Sequence, residues 1–184
     1  MKSLTLAAGV AALINPLTSA GSAVFSVGGP LSRLCYEAAL SQDDRASAIE
    51  GCSRALNEEP LTTVERAATL VNRGIVEMTR NQDSAADSDF DAALALNPSL
   101  PDAWLNKGFL RIRQGDGRDA LPLLQQGIDR KPDRQALAIF ARGVAYQQMG
   151  EYRSAYADLR MAHQLEPDWS LPSEFLSHYR IVRQ

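Results

Sequence analysis

The sequence predicts an all-α fold made by stacking helix-turn-helix units, and three sets of marks carry that prediction. Gly74, Gly108 and Gly143 are spaced 34 and 35 residues apart, and Ala86, Ala120 and Ala155 keep the same two spacings. So do Pro98, Pro132 and Pro167. Three residue types holding one register mean a repeated structural unit.

The N-terminus comes first. Met1-Lys2 is a short positive region, Leu4 to Ile14 is an apolar run, and Thr18 to Ala23 is rich in small residues. That order reads as an export signal over residues 1–23, cleaved after Ala20 or Ala23. The run is broken by Asn15-Pro16 and falls short of the ~20 apolar residues a membrane span needs. An exported, periplasmic chain with no membrane span after cleavage is therefore expected. A retained N-terminal anchor facing the periplasm is the alternative. Cys35 follows Arg33-Leu34 rather than small residues, which argues against lipidation there.

Each unit then divides into two amphipathic helices. In residues 67–100 the first helix is preceded by a capping-box signature, Thr62 with Glu65, and the turn falls at Asn81-Gln82-Asp83. In residues 101–135, Leu105, Phe109 and Ile112 form a helical stripe, and Gly115-Asp116-Gly117 breaks it. The second helix runs from about Arg118 to Arg130 and stops before Pro132. Residues 136–169 turn at Met149-Gly150. A fainter unit, residues 31–66, keeps the marks as Ala48, Cys52, Ala55 and Pro60, but has Tyr36 where Gly is expected. Residues 170–184, with Phe175, Leu176, Tyr179 and Val182 on one face, read as a capping helix over the last apolar surface.

Close packing explains the marks. A Gly facing an Ala lets two antiparallel helices approach near the short end of the ~8–10 Å range. Phe90, Leu124 and Leu159, one turn after each Ala, fill the space beside that contact. Ala93, Gly127 and Ala162 leave room for the next unit.

These phrases resemble tetratricopeptide repeats: L-x-x-R-G-x-x-E…A-x-x-x-F-x-x-A…P in Leu70–Pro98, W-x-x-K-G-x-x-R…A-x-x-x-L-x-x-G…P in Trp104–Pro132, and I-x-x-R-G-x-x-Y…A-x-x-x-L-x-x-A…P in Ile139–Pro167. The resemblance covers roughly residues 31–169 and implies a right-handed α-solenoid whose first helices line a concave groove. It assigns to that groove Val71, Asn72, Ile75 and Met78, then Leu105, Asn106, Phe109 and Ile112, then Phe140 and Val144. Asn72 and Asn106 would be polar handles on an apolar floor, since an Asn amide both donates and accepts. Some relatives grip a C-terminal carboxylate with Lys and Asn. Val71, Ile75, Leu137 and Ala141 stand at the matching places, so that clamp is not expected. Aligned on the family pattern, Cys35 and Cys52 fall on the two helices of the faint unit. A structural disulfide is the usual outcome in an exported chain, with free buried thiols, or redox or metal chemistry, as alternatives.

Little else suggests chemistry. A net charge of −3 without a basic face argues against nucleic-acid binding. His163 and His178 have no second ligand at metal-site spacing, and no nucleophile elbow, phosphate loop or HExxH is present. The expectation is a non-enzymatic module without metal, cofactor or small-molecule substrate, binding a peptide or helical segment of a protein partner. Two alternatives stand beside it: a membrane-proximal adaptor in envelope assembly or secretion, and a structural protein that self-associates through the groove.

Overall fold

The computed structural model describes residues 2–6, 21–25 and 28–183. Among these, helices pair in order: α1 (Pro30–Ser41) with α2 (Ala46–Glu58), α3 (Thr63–Thr79) with α4 (Asp83–Leu96), α5 (Pro101–Arg113) with α6 (Gly117–Asp129), and α7 (Gln135–Gln148) with α8 (Tyr152–Leu165). Helix α9 (Ser170–Ser177) packs on α8. Each hairpin stacks on the next, and one apolar core runs from Cys35 to Tyr179. The all-α solenoid expected from the repeat marks is what forms.

Local chemistry fixes the ends of these helices. The Thr62 side chain accepts from Glu65 N–H while the Glu65 carboxylate accepts from Thr62 N–H, at 3.3 and 2.8 Å. The N-terminus of α1 has no cap of its own. Glu59, from the loop after α2, accepts from Leu31 and Ser32 N–H at 2.6 and 3.0 Å. Every first helix ends the same way, on a left-handed residue: Gln42, Asn81, Gly115 and Gly150 all have positive φ. The next residue then reaches back five positions, Asp43 to Ala38, Gln82 to Glu77, Asp116 to Arg111 and Glu151 to Tyr146, each at 2.9 Å. This return bond satisfies carbonyls the helix would otherwise leave bare.

The glycines meet the bulky residues expected of them. A methyl on Gly74 would lie 2.6 Å from the Phe90 ring, and one on Gly108 would lie 2.7 Å from Leu124. Beside each Gly stands a cation. Arg73 donates to both oxygens of Asp89 at 2.7 Å and to Ser53 on α2 at 3.1 Å. Arg142 likewise forks onto Asp158 at 2.7 and 2.8 Å and reaches Gln125 on α6. The middle hairpin has Leu123 where that Asp would be, so Lys107 turns back to Asp87 and Asp91 on α4. Each cation thereby ties its hairpin to the preceding one.

In the faint first unit the Cys35 and Cys52 sulfurs lie 2.03 Å apart, at disulfide distance. Their separation of 17 residues equals that of Arg73 and Phe90, so the link stands where the later hairpins pair a cation position with a bulky one.

The C-terminal segment departs from a helix spanning 170–184. The helix stops at Ser177, and Tyr179–Arg183 form strand β2, antiparallel to strand β1, Lys2–Leu6. Tyr179, Ile181 and Val182 favour extended backbone, and a partner strand satisfies their amides as a helix would. Strand β1 includes the start of the expected export signal. The rest of its apolar run, and Ala20 at the first expected cleavage bond, lie outside the described residues.

Candidate peptide-binding groove

A short stretch of the chain itself, residues 21–25, lies across the inner helices α3 and α5 without helix or strand structure of its own. Two asparagines hold it. On α5, Asn106 Oδ1 accepts from Ser22 N–H at 3.0 Å and its Nδ2 donates to the Ser22 carbonyl at 3.1 Å. On α3, Asn72 Oδ1 accepts from Val24 N–H and its Nδ2 donates to the Val24 carbonyl, both at 2.8 Å. Asn72 and Asn106 are 34 residues apart, one repeat, and they read residues two apart in the segment. Both side chains are fully buried, so each bond forms where water does not compete.

Other contacts complete the seat. Asp102, one turn before Asn106, accepts from the Ser22 hydroxyl at 2.5 Å. Burial pushes its carboxyl above the usual range, against the pull of that hydroxyl. The Asp102 carbonyl also accepts from Asn106 Nδ2 at 2.8 Å, which orients the amide. A side chain at position 21 would meet Ile75 at 2.6 Å, so only Gly fits against α3 there. Arg134, at the start of α7, comes within 3.5 Å of the Gly21 carbonyl. At the other end Phe25 sets its ring edge-on to Tyr36, centroids 5.5 Å apart. Tyr36 is the residue that replaces Gly in the first unit, so this departure from the repeat pattern supports the end of the segment.

Of the ten residues assigned to the groove, Asn72, Ile75 and Asn106 thus meet the segment. Val71, Met78, Phe109, Ile112 and Val144 are buried in the common core. Two point elsewhere. Leu105 packs over Gly127 inside its own hairpin, where a methyl would come within 2.4 Å of it. Phe140 stacks with Trp169 and Phe175, centroids 5.0 Å from each, beneath the C-terminal helix. Ser22, Val24 and Arg134 also take part, and no repeat mark in the sequence singles them out. His163 and His178 join no cluster of metal-binding groups among the described residues. No helix among those residues is long and apolar enough to cross a membrane.

No family model and no curated protein matches the sequence. Solved structures do match. The TPR domain of Arabidopsis OM64 superposes with a TM-score of 0.59 at 19% identity, over 63% of this chain and 95% of that one. The chain has the tetratricopeptide-repeat fold. MamA from Desulfovibrio magneticus RS-1 superposes with a TM-score of 0.64 at 20% identity, over 80% of this chain and 82% of its own. The N-terminal domain of stress-induced protein-1 from C. elegans gives 0.56 at 15%, over 64% and 97%. In this tetratricopeptide-repeat chain the inner helices α3 and α5 carry the polar handles beside their Gly marks, and the outer helices α4, α6 and α8 carry the Ala marks.

Proposed function

We propose that the chain is a non-enzymatic interaction module whose inner face grips an extended peptide by its backbone. The observation that supports this is the paired amide contact of Asn72 and Asn106 with Val24 and Ser22. Such a contact needs a free N–H and C=O on one residue, which extended backbone offers and a helix interior, bonded to itself, does not. An extended peptide therefore fits better than a helical partner. Four such bonds at about 0.5–1.5 kcal/mol each give useful affinity without demanding a particular side chain.

The reading includes export to an oxidising compartment, supported by the paired cysteines and by the N-terminal pattern of Lys2, apolar run and small residues. Cleavage after Ala20 would keep Ser22 and Val24 in the groove, whereas cleavage after Ala23 would remove Ser22.

A photoreactive residue at Ile75 tests the proposal in cells, with crosslinked partner sites mapped by mass spectrometry. Extended segments, captured by the parent and lost from its Asn72→Ala/Asn106→Ala variant, are the expected result. Crosslinks falling in helices, or unaffected by the two substitutions, would remove the reading.

A further inference from the structure

The proposed peptide-binding groove already has an occupant, and the occupant describes its rival. Residues 21–25 use both Asn clamps without helix or strand structure of their own, on a chain that runs on to α1 on one side and back to β1 on the other. The contacts spell a pattern. Position 21 accepts only Gly against Ile75, Ser22 is read by its backbone and by Asp102, and Ala23 and Val24 are half-buried against the core. The last residue, Phe25, is 67% exposed and touches Tyr36 by its edge. The bonds are thus concentrated at Ser22 and Val24, two clamps that a competing strand could take one after the other.

We infer that residues 21–25 are a tethered, displaceable pseudo-ligand, and that the partner is an extended Gly-Ser-small-Val segment that competes for the same clamps; this rests on the peptide-binding reading above. A short tether holds its own ligand at an effective concentration in the millimolar range. For a segment with an intrinsic Kd on the order of 100 µM, a millimolar tether leaves about one groove in ten open. Apparent affinity for a partner then falls about tenfold. The tether sets a threshold: weak chance peptides are shut out, and a segment matching the full pattern displaces the resident one.

Two prolines open the groove without touching its walls. In S22P/V24P the N–H donors to Asn106 and Asn72 are gone, while both asparagines, Ile75 and Asp102 remain. A fluorescent, end-capped Gly-Ser-Ala-Val-Phe peptide is titrated by anisotropy into the wild-type full chain, into S22P/V24P, and into S22P/V24P carrying N72A and N106A. The expected result is binding to S22P/V24P about tenfold tighter than to wild type, abolished by the added N72A and N106A. Equal binding to wild type and S22P/V24P, lost with the asparagines, would leave the groove reading standing and overturn the tethered occupant. Binding to none of the three would overturn both. Melting of S22P/V24P is followed alongside: a collapsed transition would make residues 21–25 an integral part of the fold and overturn the displaceable pseudo-ligand.

Discussion

The α3–α4 and α7–α8 hairpins share one scaffold and differ at the places that face the groove. Both place a cation before a Gly, and both fork that cation onto an Asp of the second helix. At the position two residues before the Gly, however, α3 has Asn72 and α7 has Ala141. Asn72 holds the backbone of Val24, whereas Ala141 is buried beside Phe140, whose ring lies under Trp169 and Phe175. One hairpin spends its inner face on a peptide and the other on the C-terminal cap. Residues that build the repeat and residues that hold the 21–25 segment are thus separable, and a substitution can move one set without the other.

The largest break in the comparison comes from outside both hairpins. The first unit has Cys35 and Cys52 in the places of Arg73 and Phe90, or of Arg142 and Leu159. Replacing both cysteines by Ala should cost about 3 kcal/mol, the chain-entropy value for a loop of this size. Urea melts followed by hydrogen exchange should place that loss in α1 and α2 ahead of α7 and α8.

Gly74→Ala and Gly143→Ala set the two hairpins directly against each other. A methyl at 74 meets the Phe90 ring at 2.6 Å, whereas one at 143 finds its nearest neighbour, Asp158 Cβ, at 3.2 Å. Ala also gains about 1 kcal/mol of helix propensity over Gly. Gly74→Ala should therefore lose about 2 kcal/mol and Gly143→Ala should be close to neutral, as read from denaturation midpoints.

Glu77 on α3 stands where α7 has Tyr146. Burial, with Asp89 adding to it, raises the Glu77 carboxyl to about 7 from its usual 4.5. The folded state thus favours the protonated acid, and its penalty grows as pH rises from about 4.5 to about 7 and persists above. Glu77→Gln should stabilise the chain by about 1 kcal/mol at pH 8, and the gain should vanish near pH 4.5. Thermal melts across that range check it. The smallest effect is at the turn, where α3 ends on Asn81 in the left-handed region and α7 ends on Gly150. Asn81→Gly should gain a few tenths of a kcal/mol at most.

The scaffold was legible because its marks are local: Gly, Ala and Pro recur with the packing geometry they permit. Asn72 and Asn106 were legible too, as two polar side chains one repeat apart on an apolar face. Their occupant was not. Gly21, Ser22 and Ala23 are small, as a signal-cleavage region also requires, and a backbone contact leaves no trace in the identity of the residue that makes it. Leu105 and Phe140 were misplaced because a first helix has two buried sides, one toward the groove and one toward neighbouring helices. Tyr179–Arg183 form a strand because of a partner at residues 2–6, a contact between chain ends that no local pattern announces.

Amide hydrogen exchange at Ser22 and Val24 tests the central claim most directly, compared among the wild type, Asn106→Ala and Asn72→Ala. The Asn clamps predict slow exchange at both amides in the wild type, with Ser22 at least about tenfold faster in Asn106→Ala and Val24 at least about tenfold faster in Asn72→Ala. Amides that exchange freely in the wild type, or that keep their protection in both variants, would contradict a groove that holds peptide backbone through these two asparagines.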